Sequence, residues 1–191
     1  MPKIPTFISE ARPTAEVSSI KSNIQVSPNS SLAAALSPAA KTIDNYYLKE
    51  KEIEYHKPYK RFNKIVKVPR GQASYTLNED IHYNYGVSGG SPINEVMDDT
   101  LKEITKRVND TLDTNFNTIL MNVYKDGRDC IGFHMDKEKD WVENTGFATL
   151  AFGAERDFII RENETRVCSN ILHTNGSVIY CPYPMNHTHQ H

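Results

Sequence analysis

The sequence predicts an α+β fold in which a helix is followed by many short strands arranged as a sandwich or barrel. Three observations predict it. Apolar residues recur at helical spacing through Ile93, Val96, Met97, Leu101, Ile104, Val108 and Leu112, opposite a charged face. Beyond them the pattern becomes short apolar stretches. Turn signals, Asp126-Gly127 and Asn175-Gly176, separate those stretches. No internal repeat is visible.

In chain order, residues 1–42 predict a disordered tail. Ser, Pro and Ala dominate it, as in Ser27-Pro28-Asn29-Ser30-Ser31 and Ser37-Pro38-Ala39-Ala40, and such a segment buries too little apolar surface to offset its ordering entropy. A single domain is expected over 43–191. Aromatic residues then become dense, and Ile65–Val68 reads as a strand ending at Pro69. Ser91-Pro92 is expected to open the helix, with Ser as N-cap and Pro in the first turn. Phe116–Tyr124 reads as a largely apolar strand. Phe147–Phe152, Phe158–Ile160 and Ser177–Cys181 read as further strands.

Bulk properties narrow the function. The 191 residues carry a formal charge of −2. The tail holds Lys3, Arg12, Lys21 and Lys41 against Glu10 and Glu16, so the remainder is the acidic part. No global basic field advertises nucleic acid, although local patches can bind phosphate without one. Cys130, Cys168 and Cys181 lack zinc-finger spacing and suit a reducing compartment. No apolar run approaches a membrane span and no secretory signal is readable, so an intracellular protein without a membrane partner is expected.

The most informative residues are His134 and Asp136. On an extended segment, residues two apart point the same way. With one distant His they would form the facial triad of a non-haem Fe(II) oxygenase, which leaves coordination positions open for substrate and dioxygen. Asn186-His187-Thr188-His189-Gln190-His191 offers that second His.

The surroundings of the pair are more specific. Phe116-Asn117, Leu120, Asn122, Tyr124, Asp126-Gly127, Asp129, Ile131-Gly132, His134, Asp136 and Glu138 are followed by Phe152-Gly153-Ala154 and Arg156-Asp157-Phe158. Upstream stand Val68-Pro69-Arg70, Gln72-Ala73, Tyr75 and Tyr83-Asn84-Tyr85; downstream, Gly176-Ser177, Pro184, Asn186 and His191. Together these resemble the AlkB family of iron- and 2-oxoglutarate-dependent dioxygenases, especially its eukaryotic-type DNA repair demethylases. The likeness covers residues 59 to 191 with spacing kept across separate motifs.

The resemblance implies a double-stranded β-helix, or jelly-roll, core with an N-terminal helix and nucleotide-recognition strands. It implies His134, Asp136 and His191 as catalytic Fe(II) ligands, and Asn122 and Tyr124 as contacts to 2-oxoglutarate. Glu138 would meet the exocyclic group of the target base, with Tyr83 and Tyr85 in the substrate pocket. Tyr85 and the His134 ring would sandwich the flipped base. Phe62 would enter the duplex as a wedge, and Lys64 and Arg70 would face phosphates. The implied reaction uses Fe(II), 2-oxoglutarate and dioxygen to oxidise the N-methyl group of a base such as 1-methyladenine or 3-methylcytosine in alkylated DNA. Formaldehyde is then released. The family continues past its last iron His with two arginines on a further strand, one clamping 2-oxoglutarate. The sequence ends at His191, so a C-terminally incomplete domain with weak 2-oxoglutarate binding and reduced stability is expected. Monomeric state and, in a eukaryote, nuclear location are expected by resemblance alone.

Plainer readings stand beside these. Phe62 could be core, Glu138 part of a solvated charged run, and Asn122 and Tyr124 a self-satisfied strand pair. His187 and His189 read as loop residues, and His56, His82 and His173 as ordinary polar residues. At the level of function, a demethylase of RNA or single strands and a non-catalytic binding module remain open beside the DNA demethylase.

Overall fold

The computed structural model describes residues 69–83 and 94–191 in full, and the backbone of three further short strands, 25–27, 58–61 and 64–67. In chain order the elements are β1 (Gln25–Ser27), β2 (Pro58–Arg61), β3 (Lys64–Lys67), β4 (Gly71–Thr76), β5 (Asn94–Val96), α1 (Asp99–Leu112), β6 (Thr118–Val123), β7 (Phe147–Leu150), β8 (Arg156–Glu162), β9 (Cys168–His173), β10 (Val178–Cys181), α2 (Met185–Thr188) and β11 (His189–Gln190). Mostly strands with few helices is what the α+β expectation required. Among the described residues no helix is long and apolar enough to cross a membrane.

The elements fall into two units. The first holds β2 to β6 and ends at Ile131. Its hairpin pairs β2 with β3, Arg61 opposite Lys64. Its sheet has the order β5-β4-β6, with β4 parallel to β5 and antiparallel to β6. Helix α1 buries Leu101, Ile104, Thr105 and Val108 on one face. Exposed Glu103–Arg107 and Lys106–Asp110 ion pairs lie on its other side. Asn109 ties the end of α1 to the approach of β6: its Nδ2 donates to the Phe116 carbonyl at 2.9 Å, and its Oδ1 accepts from the Phe116 amide at 2.7 Å.

The helix starts later than Ser91-Pro92, which lie outside the described residues. Asp98 is the N-cap, and its carboxylate accepts from the Leu101 amide at 3.0 Å. Val96, which continues the helical stripe in sequence, belongs to strand β5, and Met97 directly follows it. Asn94–Val96 pairs with Ser74–Thr76. Val96 then points outward and Met97 inward, 42% and 2% exposed, as strand alternation demands. β4 and β9 were not read as strands from sequence; Ser, Thr, Gln and Asn dilute their apolar content.

The second unit spans Gly132–His191 and includes β1. It contains two three-stranded antiparallel sheets, β1-β10-β7 and β11-β8-β9. Ile160, Ile179 and Cys181 form its core, with Phe147, Phe158, Ile171 and Met185 packed against them. These side chains come from both sheets, so the core lies between them. Strand β1 lies inside the Ser-rich stretch, and its Gln25–Ser27 pairs with Val178–Tyr180. Its pairing is supplied by the backbone edge of β10, which composition does not report. The three cysteines are unpaired.

Gly146, just before β7, allows β7 to lie against β10. A Cβ there would sit 2.2 Å from the Cys181 carbonyl oxygen and 2.8 Å from the Pro182 Cα, both backbone atoms that cannot swing aside. Gly146→Ala is therefore expected to destabilise the protein by roughly 1–3 kcal/mol in denaturant titration. Gly132→Ala, which meets no atom within 4 Å, should stay within about 0.5 kcal/mol of the parent. Equal costs at the two positions would contradict this account.

Candidate metal centre

The second unit brings His134, Asp136 and His191 together. One ligand atom from each residue lies within 4.8 Å of the others, and they are the described side chains that could jointly hold a metal ion. His134 and Asp136 stand on the segment after Gly132, and His191 follows β11. Two reciprocal backbone bonds join the pieces: the His134 amide donates to the His191 carbonyl at 3.1 Å, and the His191 amide to the His134 carbonyl at 3.0 Å. The far ends of the chain segment are thus paired as in a sheet, and the two imidazoles come to 4.3 Å between ring centres.

The Asp136 carboxylate turns one oxygen to each ring. Its Oδ1 is 3.4 Å from His134 Nε2 and its Oδ2 is 3.7 Å from His191 Nε2. Ligands on one face of a first-row metal stand about 3 Å apart, given metal–ligand bonds of about 2.1 Å. The observed separations would close onto an ion with small side-chain movements, and two imidazoles with one carboxylate suit Fe(II). His134 Nδ1 lies 3.0 Å from the Gly132 carbonyl. A carbonyl only accepts, so Nδ1 carries the proton and Nε2 presents its lone pair to the site.

The two imidazoles titrate in opposite directions. His191 packs against Phe147 and Phe158, with ring centres 4.7 and 5.7 Å away. Burial in this apolar setting pushes its pKa down to about 4, against the opposing pull of the Asp136 charge. It is therefore a neutral ring near pH 7, the form a metal needs. For His134, burial acts downward, but the hydrogen bond and charge of Asp136 and the Gly132 and His191 carbonyls together raise the pKa above the ordinary value. His187 and His189 stand outside the cluster. The buried Cys181 thiol is pushed up to about 12, chiefly by burial, and stays protonated.

Glu138 is not a freely solvated residue. Its Oε1 accepts from Asn186 Nδ2 at 2.6 Å, and its Oε2 lies 2.7 Å from His187 Nε2. It lines a cavity of about 290 Å³ with Trp141, Val142, Tyr183 and His187 among others. Asn186 and His187 were assigned no role from sequence. The ungapped run from Gly176 to His191 already contained Asn186, but an amide carries no chemical signature of its own.

In the first unit, Asn122 lies on β6 opposite Gln72. Its Oδ1 accepts from Arg70 Nε at 2.8 Å and from Gln72 Nε2 at 3.1 Å. Tyr124 stands just past β6. The Tyr83 carbonyl accepts from Asn94 Nδ2 at 3.0 Å. Arg70 is 8% exposed, and its guanidinium donates to Asn122 Oδ1 and to the Cys130 carbonyl. Burial and internal acceptors take it off the surface. Phe62 and Tyr85 lie outside the described residues, and Lys64 is described only as backbone in β3.

Comparison with known proteins follows the same direction. A family model described as the 2OG-Fe(II) oxygenase superfamily matches residues 23–191. The chain is similar to proteins named DNA oxidative demethylase ALKBH2 from Bos taurus, Mus musculus and Homo sapiens. Each is 36% identical over 121 residues, 61% of this chain. The match covers 42%, 49% and 45% of those proteins respectively, so the chain spans about half the length of the relatives it matches.

The depressed pKa of His191 predicts acid sensitivity of the metal-free protein. Unfolding would let this ring bind a proton between its ordinary pKa of 6.5 and its folded value of about 4. Its contribution to stability is therefore present above pH 6.5 and lost as pH falls through 4, amounting to about 3 kcal/mol at the limit. His134 acts oppositely: its contribution is present below pH 6.5 and is lost as pH rises through its raised folded value. His191→Leu should flatten the fall in unfolding free energy between pH 7 and 4. Parallel pH curves for parent and variant would refute the assignment.

Proposed function

The chain belongs to the 2OG-Fe(II) oxygenase superfamily, and we propose that it is an iron- and 2-oxoglutarate-dependent dioxygenase removing N-methyl groups from nucleobases in DNA. The observation that carries this is the His134–Asp136–His191 cluster, found within a chain similar to DNA oxidative demethylases. The family implies Fe(II), 2-oxoglutarate and dioxygen, and a jelly-roll core; the preceding helix and strands would serve as nucleotide-recognition elements. When bound, metal and cosubstrate supply the oxidising chemistry, and the product on the base releases formaldehyde.

The residues have distinct tasks. His134 and His191 would hold Fe(II) as neutral rings, with Asp136 offsetting its charge, all three on one side so that the opposite side stays open. Asn122 and Tyr124 would hold 2-oxoglutarate by donating hydrogen bonds. Arg70 and Gln72 already occupy Asn122 Oδ1, which turns the donor end of the amide away from them. Glu138 would accept from the exocyclic amine of the base. A carboxylate offers about four lone-pair positions, so its bonds to Asn186 and His187 leave acceptor capacity, and the adjoining cavity gives a planar heterocycle room. Tyr83 and Tyr85 would line the base pocket, with Tyr85 and His134 stacking on the extruded base. Phe62 would fill the gap in the duplex, a role that the flanking β2–β3 hairpin supports, and Lys64 would meet phosphate. A eukaryotic enzyme of this kind would act as a nuclear monomer.

The test is methyl loss, followed by mass spectrometry, from a duplex oligonucleotide carrying 1-methyladenine, with Fe(II) and 2-oxoglutarate supplied. Turnover with release of formaldehyde is expected for the parent, and none for His134→Ala. Methyl loss that persists in His134→Ala would remove the metal centre from the mechanism. A parent that binds the methylated duplex without turnover would sink the enzymatic reading. A Phe62→Ala variant should lose activity on the duplex and keep it on the single strand; equal losses on both would argue against the wedge.

A further inference from the structure

We infer that Asn186 is a positioning residue that sets both the metal ligand Asp136 and the acid Glu138 from one buried amide. The inference rests on the reading of the triad as a metal centre and of Glu138 as a contact to the base. Asn186 is the second residue of the short turn α2 and is 8% exposed. Its Oδ1 accepts from the Asp136 amide at 2.8 Å, and its Nδ2 donates to the Asp136 carbonyl at 3.0 Å. A strand residue makes this pair of bonds to its neighbour through the backbone; here one side chain makes both. Among the described residues these are the hydrogen bonds of the Asp136 backbone. They fix its dihedrals, and with them the direction in which the carboxylate leaves the chain.

The same Nδ2 group donates to Glu138 Oε1 at 2.6 Å. Each of its two hydrogens therefore has one acceptor, and the amide has no remaining freedom to turn. His187, the next residue, reaches Glu138 Oε2 at 2.7 Å. Glu138 is thus tethered through both oxygens to the segment that leads into His191. A carbonyl acceptor at Asp136 and a carboxylate at Glu138 both require donors, so the orientation of the Asn186 amide follows from its partners. Partners of metal ligands typically change metal affinity or activity by about 10- to 100-fold when removed. Asn186 differs from an ordinary loop staple in that the same group also faces the substrate acid.

The two arms can be tested separately on the full chain. Co(II) serves as a spectroscopic probe for the metal site, and circular dichroism checks folding. Asn186→Ala should weaken Co(II) binding by about 10- to 100-fold. Asn186→Asp keeps the acceptor for the Asp136 amide, loses both donations and sets a carboxylate against Glu138. It should raise KM for the methylated duplex about tenfold or more with a smaller change in kcat, the order of effect expected when a charged group loses its hydrogen bond. That KM penalty should disappear in a Glu138→Ala background, the signature of direct coupling. A folded Asn186→Ala that binds Co(II) like the parent would overturn the inference, as would an Asn186→Asp penalty of equal size with and without Glu138. Controls separate this from failure of the underlying reading. Parent-like Co(II) binding by His134→Ala would sink the triad, and an unchanged KM in Glu138→Ala would sink the base contact.

Discussion

The reciprocal backbone pair between His134 and His191 is the constraint on which the site depends. It closes the second unit by joining the segment that enters the sheets to the segment that leaves them. A metal centre with ligands from distant parts of a chain must pay the entropy of bringing them together before any ion arrives. Here two amide–carbonyl bonds, the pairing of β11 with β8 and the contact of the His191 ring with Phe147 and Phe158 supply that ordering. The arrangement of the three side chains is therefore a property of the folded chain, and under the proposed reading an ion would complete it without assembling it.

Burying His191 among aromatic rings serves the same end electrostatically. An imidazolium there would be desolvated, so the ring stays neutral, and protons compete poorly with a metal for its lone pair. His134 is held differently. It is nearer to solvent, its Nδ1 proton is engaged by the Gly132 carbonyl, and Asp136 stabilises its charged form. One ring is kept neutral by its surroundings; the other is oriented by its partners and left open to protonation. Asp136 faces both rings.

What the sequence made legible was local. The spacing of His134 and Asp136 and the turns at Asp126-Gly127 and Asn175-Gly176 are encoded within a few residues, and the structure has them. Choosing His191 over His187 and His189 took a match to a known pattern, because nothing in the three residues themselves distinguishes them. The helix start was misplaced because Val96 and Met97 fit both a strand and a helical stripe. Only the pairing of β5 with β4 decides between them. For Arg70 the family resemblance implied a place facing phosphate, and a match of motifs carries no signal of burial. The burial of Arg70 depends on acceptors from Asn122 and Cys130, both distant in the chain. Asn186 was illegible for the same reason, for its meaning lies in what it touches.

The placement of Asp136 and Glu138 on one short segment has a consequence for selectivity under the proposed reading. An enzyme that oxidises a methyl group must hold that group near the metal while it recognises the base that carries it. Cα atoms two residues apart in an extended chain are about 7 Å from each other. A metal ligand and a base-reading acid separated by one residue are therefore held at a distance set by covalent geometry, with little for a flexible loop to vary. The remaining freedom is rotational, and Asn186 and His187 restrict it by holding the Asp136 peptide and both oxygens of Glu138. Discrimination between bases would then follow from whether the exocyclic amine reaches Glu138 when the methyl group faces the metal. A base that presents only an acceptor at that position would meet a carboxylate with nothing to donate to it, at the cost of an unpaired buried polar group.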